Sequence, residues 1–124
     1  MESIGLVIVS HSKYIAEGVV ELISKVAKDV PITYVGGTEG GGIGTSFDQV
    51  DRVVSENPAD TLLAFFDLGS AKMNLKMVTD FSDKSIIINR VPIVEGAYNA
   101  AALLQAGAEL SVTQTQLAEL EINK

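Results

Sequence analysis

Ile4-Gly5-Leu6-Val7-Ile8-Val9-Ser10-His11-Ser12 decides the fold. The apolar run reads as a strand buried on both faces, and it stops abruptly at a serine and a histidine. Beyond it the period changes: Ile15, Val19, Leu22, Ile23 and Val26 recur at helical spacing, and Lys25 and Lys28 suit the negative end of a helix dipole. This opening places His11, the only histidine, at the carboxyl end of a first strand, the edge where open α/β sheets bind ligands. Imidazole titrates near ~6.5 when unperturbed and is a good nucleophile at neutral pH. With no cysteine in the chain, His11 is its strongest neutral nucleophile.

The remaining segments keep the same schedule. Pro31 precedes a short strand, Ile32-Thr33-Tyr34-Val35, and a glycine-rich loop runs from Gly36 to Gly44. Thr45 is placed to cap a helix whose buried face carries Phe47, Val50, Val53 and Val54, and Asn57-Pro58 breaks that helix. Thr61 to Phe66 reads as a third strand ending at Asp67. Ser70 is placed to cap a third helix with Ala71, Leu75, Val78 and Phe81 on its apolar side. Ser85 to Ile88 is a fourth strand, and a fourth helix from about Pro92 to Ala106 closes at Gly107. Such alternation implies right-handed crossovers and a three-layer α/β fold: an open, mainly parallel sheet with helices on both faces. The tail after Gly107 allows two readings. A short helix starts at Ser111 or Thr113, each followed three residues later by Gln, with Leu117 and Leu120 as apolar contacts; or part of the tail adds an edge strand.

Composition narrows the function classes. A chain of 124 residues with 47% apolar content is expected to form one domain, 1–124, burying roughly two-thirds of its unfolded surface. A formal charge of −7 argues against nucleic acid and anionic membranes as general partners. One histidine and no cysteine argue against a zinc site, and no resident metal or cofactor is expected. The apolar runs are too short to cross a bilayer, and a start bearing Glu2 without basic residues does not read as a signal peptide. A cytoplasmic location is the expectation.

The loops after the strands converge on one rim, which would hold Ser10-His11-Ser12, the loop from Gly36 to Thr45, Asp67-Leu68-Gly69-Ser70 and Asn89-Arg90. If the first and third strands are neighbours, Asp67 reaches His11, fixes its tautomer and leaves the second ring nitrogen free as a nucleophile. Ser70, with Gly69 and the amides opening the third helix, then forms an anion cradle, to which Thr45 is a further candidate contributor. Nucleophile, orienting carboxylate and cradle suit phosphoryl transfer onto nitrogen. Each residue also has a plainer role: a strand-end polar group for His11 and Asp67, helix caps for Ser70 and Thr45, and charge balance for Arg90. The loop Gly40-Gly41-Gly42-Ile43-Gly44-Thr45 lacks the lysine of a Walker A motif and follows the wrong strand for a dinucleotide fingerprint. It reads as a flexible rim loop closing over the histidine or a partner.

The stretch Leu6-Val7-Ile8-Val9-Ser10-His11-Ser12, followed by Ala16-Glu17-Gly18-Val19, resembles the mannose-type IIA domains of the sugar phosphotransferase system. Ile43-Gly44-Thr45, Asp67-Leu68-Gly69-Ser70-Ala71 and Pro92-Ile93-Val94-Glu95-Gly96-Ala97 narrow the resemblance to the phosphoryl-donor subunits of phosphoenolpyruvate-dependent dihydroxyacetone kinases. The resemblance covers essentially the whole chain. The Leu-Gly-Ser-Ala after Asp67 is unlike the longer signature of the mannose-transport branch, and the phosphocarrier-like and enzyme-I-like domains of the larger donor subunits are not expected here. It implies a relay in which a separate phosphocarrier, HPr, phosphorylates His11. The loaded domain then rephosphorylates ADP on the subunit DhaL, while DhaK holds dihydroxyacetone. It also implies a homodimer, with Leu110, Val112, Leu117 and Leu120 available to the interface. A sugar-transport IIA component and a non-catalytic α/β ligand-binding or regulatory module are the alternatives. A response-regulator receiver fits poorly, because Ser10-His11 stands where its acidic pair belongs, and a histidine phosphatase would need a second histidine.

Overall fold

The computed structural model describes residues 3–124 and contains β1 (Ile4–Ser10), α1 (Lys13–Ser24), β2 (Ile32–Gly36), α2 (Phe47–Glu56), β3 (Thr61–Phe66), α3 (Gly69–Phe81), β4 (Ser85–Asn89), α4 (Ile93–Gln105) and α5 (Leu110–Ala118). The strands form one parallel sheet in the order β2-β1-β3-β4. Leu6 lies opposite Ile32 on one side and Leu63 on the other, and Leu62 lies opposite Ile86. Because β1 and β3 are central, both of their faces are buried, which is why each reads as an unbroken apolar run. Alternate residues separate into two cores. Val7, Val9, Leu62, Ala64 and Phe66 meet Val50, Val53, Val54 of α2 and Ala71, Leu75, Val78 of α3. Leu6, Ile8, Leu63 and Phe65 meet Val19 and Ile23 of α1, Ala97, Ala100 and Ala101 of α4, and Leu117 of α5.

Helix ends account for several departures from the sequence reading. Ser46, not Thr45, caps α2, its hydroxyl accepting from the Gln49 amide at 3.2 Å. Leu68 occupies the N-cap of α3, so Ser70 lies inside the first turn with its hydroxyl free of capping. Asn57 ends α2 in extended backbone ahead of Pro58, and its side-chain amide donates to the Leu6 carbonyl at 3.1 Å. A methyl on Gly5 would stand 2.5 Å from the Asn57 side chain, so that glycine makes the approach possible.

The tail takes the helical option, starting at Leu110 after Glu109 rather than at Ser111 or Thr113, and adds no edge strand. Leu117 is consumed by the chain's own core, whereas Val112 is about half exposed. Phe81, expected on a buried face, is 80% exposed and makes an edge-to-face contact with Phe47, centroids 6.2 Å apart. In α1 the buried stripe is Ala16, Val19 and Ile23. Ile15 and Leu22 each precede one of those positions, are rotated about 100° from it, and are exposed.

Candidate active site

From β1 the chain moves outward to β2, then crosses back to β3 on the other side of β1. Strand order therefore reverses between β1 and β3, and the crevice at their carboxyl ends is the expected ligand position. His11 leaves one strand there and Asp67 leaves the other.

The Asp67 carboxylate is fully engaged. Oδ1 accepts from His11 Nδ1 at 2.8 Å and from the Leu68 amide at 2.7 Å. Oδ2 accepts from the Ser10 hydroxyl at 2.7 Å and the His11 amide at 2.9 Å. Burial pushes the Asp67 carboxyl up, but the bonds from the His11 amide and ring, the Ser10 hydroxyl and the Leu68 amide outweigh it and hold the group below its ordinary value. An ionised carboxylate only accepts, so the ring proton belongs on Nδ1 and the lone pair on Nε2. The Ser70 hydroxyl sits in hydrogen-bond contact with that Nε2.

Ser70 reaches the ring because α3 begins immediately after Asp67, with only Leu68 between carboxylate and helix. The first-turn amides, those of Gly69 and Ser70 among them, have no partner within the helix and carry the positive end of its dipole. Gly69 opens α3, two residues ahead of the start that a Ser70 cap would give, and a methyl there would meet nothing within 4 Å. Thr45 is not brought to the imidazole in the same way: its hydroxyl accepts from Asn74 of α3 at 2.8 Å. Arg90 pairs with Glu121 at 3.0 Å, which is the charge-balancing role.

The glycine loop is stitched to the histidine turn. The Gly37 amide donates to the Ser10 carbonyl at 3.1 Å, and the Gly44 amide to the His11 carbonyl at 2.9 Å. Gly37 and Gly44 have φ of 79° and 138°, conformations that disfavour a side chain, and these let the loop fold back onto β1. Two participants escaped the sequence reading. Ser10 had a local signal, being a hydroxyl beside the histidine. Lys124 had none. Its ammonium donates to the Phe66 carbonyl at 2.6 Å and to that of Asp67 at 3.4 Å. Burial pulls its pKa below the usual lysine value, and the Asp67 charge opposes that effect. Among the described residues, no group of three or more His, Cys, Asp or Glu side chains could hold a metal ion.

The profile of the EIIA-man family, the PTS system fructose IIA component, matches residues 5–114.

The chain belongs to the EIIA-man family.

Within it, the chain is 53% identical to the phosphotransferase subunit DhaM of a PTS-dependent dihydroxyacetone kinase from Lactococcus lactis, over 97% of this chain and 98% of that one. It is 49% identical to the DhaM phosphoryl donor subunit of dihydroxyacetone kinase 1 from Listeria innocua, over 95% of each chain. These similarities place it in the DhaM branch of EIIA-man. A longer relative, the DhaM of Providencia stuartii, is 32% identical over a region that makes up 24% of its length. A crystal structure of a protein of unknown function superposes with a TM-score of 0.85 at 25% identity, covering 98% of this chain and 97% of the other. A sigma-54 interaction domain protein from Enterococcus faecalis shares the EIIA-man fold alone, with a TM-score of 0.73 at 10% identity over 95% and 90% of the two chains.

Proposed function

We propose that this chain is the phosphoryl-donor subunit of a dihydroxyacetone kinase, carrying the phosphoryl group as a covalent phosphohistidine at His11. The observation that carries the reading is the pairing at one imidazole: Nδ1 on the Asp67 carboxylate, Nε2 beside Ser70 at the start of α3. In the first half-reaction the Nε2 lone pair attacks the phosphorus of a donor phosphohistidine, for which HPr is the proposed donor. The new N–P bond forms as the donor's breaks, and that electron pair returns to the donor imidazole. The Nδ1 proton stays in place, and Asp67 stabilises the resulting imidazolium. Ser70, released from Nε2, turns its O–H to a phosphoryl oxygen alongside the amides of Gly69 and Ser70. In the second half-reaction a terminal phosphate oxygen of ADP on DhaL attacks the phosphorus, and the N–P electrons return to Nε2.

Nothing in this cycle asks a metal or nucleotide of the domain itself. DhaK, holding dihydroxyacetone, completes the proposed assembly. The chain is proposed to work in the cytoplasm as a single domain, 1–124. We further propose a homodimer, whose interface would draw on Val112 and the half-buried Leu110 and Leu120 rather than on Leu117. Sedimentation at micromolar concentration tests that part, and a monomer mass removes it.

The decisive experiment is incubation with phosphoenolpyruvate, enzyme I and HPr, followed by intact-protein mass spectrometry. One acid-labile phosphate on His11, discharged on adding ADP-loaded DhaL, is the expected result. Absence of label would return the chain to the class of non-catalytic binding modules. Discharge to a membrane sugar transporter instead would make it a transport component.

A further inference from the structure

Beyond α5 the chain turns back across the carboxyl ends of β3 and β4. Three contacts fix this strap: Arg90 to Glu121 at 3.0 Å, the Ile122 amide to the Arg90 carbonyl at 2.8 Å, and the Lys72 ammonium of α3 to the Lys124 carbonyl at 2.9 Å. They deliver the Lys124 ammonium to the end of β3. There it binds the carbonyls of Phe66 and Asp67 and stands 4.4 Å from the centroid of the Phe66 ring. Buried carbonyls need donors, and these belong to the peptides from which the His11-orienting carboxylate projects.

We propose that Lys124 is a positioning residue for His11: it anchors the Asp67 turn from behind and supplies the cation that offsets the charge of the phosphorylated site. The proposal rests on the phosphohistidine reading. A phosphoryl group brings up to about two negative charges to a site that already holds the Asp67 carboxylate. Only one positive charge, on the imidazolium, forms in return. Lys72 binds the Lys124 carbonyl and Arg90 pairs with Glu121, while Lys13, which opens α1 two residues after His11, is exposed to solvent. Lys124 is bonded to the Asp67 peptide itself and is half-buried, so its field at the site is less screened than that of a surface lysine.

The test uses the full chain as wild type, Lys124→Met and Lys124→Arg, with circular dichroism as the folding control. The lone imidazole is titrated by NMR, and the phosphoryl partition against the phosphohistidine donor is measured at equilibrium. Loss of the cation stabilises the imidazolium, so Lys124→Met should raise the His11 pKa by about half a unit and move the partition about threefold or more toward the donor. Lys124→Arg should restore both. An unchanged titration and partition in Lys124→Met overturns the proposal, as does an arginine variant that behaves like methionine. If the wild type takes no phosphate, the phosphohistidine reading itself fails, while the titration still reports whether Lys124 acts on the ring.

Discussion

The two ends of the sheet differ in kind. At the carboxyl end hydrogen bonds crowd onto a single carboxylate, and an imidazole is presented close to the surface. At the amino end lies an open groove of about 750 Å³, bordered by Ile4, Asp29, Pro31, Leu104, Leu110 and Gln114. Its polar contacts are architectural, as in the Asp29 amide to Gln105 Oε1 at 2.8 Å and Gln105 Nε2 to the Asp29 carboxylate at 2.9 Å. Large pockets are the usual first guess for function. The proposed relay reverses that expectation, because its nucleophile would enter another protein's active site rather than enclose a substrate of its own.

The largest effect expected from breaking this contrast is at His11. His11→Ala should fold normally and accept no phosphate, and label on any other residue would remove the carrier assignment. Asp67→Ala should follow, with transfer slowed about a hundredfold or more while the fold survives, since the ring loses its orienting partner. Wild-type rates in single-turnover transfer would reduce Asp67 to a strand terminator.

Next come Leu68 and Met73, 61% and 65% exposed beside the site. Leu68→Asp or Met73→Asp should weaken transfer to the ADP-loaded subunit about tenfold, as loss of an apolar anchor at an interface commonly does. Unchanged transfer in both would mean that the partner docks elsewhere.

Stability offers a fourth handle. The Asp67 pKa is lowered in the folded protein, so its contribution is complete above the ordinary carboxylate value of about 3.9 and is lost as pH falls below that value through the folded one. Asp67→Asn should cost about 1–3 kcal/mol near neutral pH, with the melting gap to wild type narrowing below about pH 4. A gap that stays constant on acidification would show that the charge contributes nothing. Smallest of all, Gln114→Trp, which fills part of the amino-end groove, should leave transfer within about twofold of wild type, as surface changes away from a site usually do. A large loss would show that the two ends are coupled.

Much of this was legible in the chain. Central strands write themselves as continuous apolar runs, so Leu6 to Val9 and Leu62 to Phe66 announced their burial; their adjacency, on which the meeting of His11 and Asp67 depends, was a condition that the strand order supplies. Caps were harder. Thr45 and Ser46 are adjacent hydroxyl residues with equal chemical claim, and the winner is set by Asn74, which draws the Thr45 hydroxyl from another helix. Phe81 shows the limit of periodicity, which reports an apolar side without saying whether anything covers it. Lys124 was invisible for a deeper reason: its contacts lie 57 and 58 residues away, and a lone lysine near a strand end has no local pattern.

The grip of Asp67 on His11 has a consequence for entropy. One carboxylate holds both the backbone amide and the ring nitrogen of the same residue, so neither χ1 nor χ2 of the histidine is free to rotate. Freezing such a side chain costs roughly 1 kcal/mol. Here the cost falls on folding, once, and not on each encounter. In the proposed relay the donor and the acceptor would both meet the ring already oriented, so the saving would apply equally to loading and unloading. Such symmetry suits a carrier that must release its cargo as readily as it takes it.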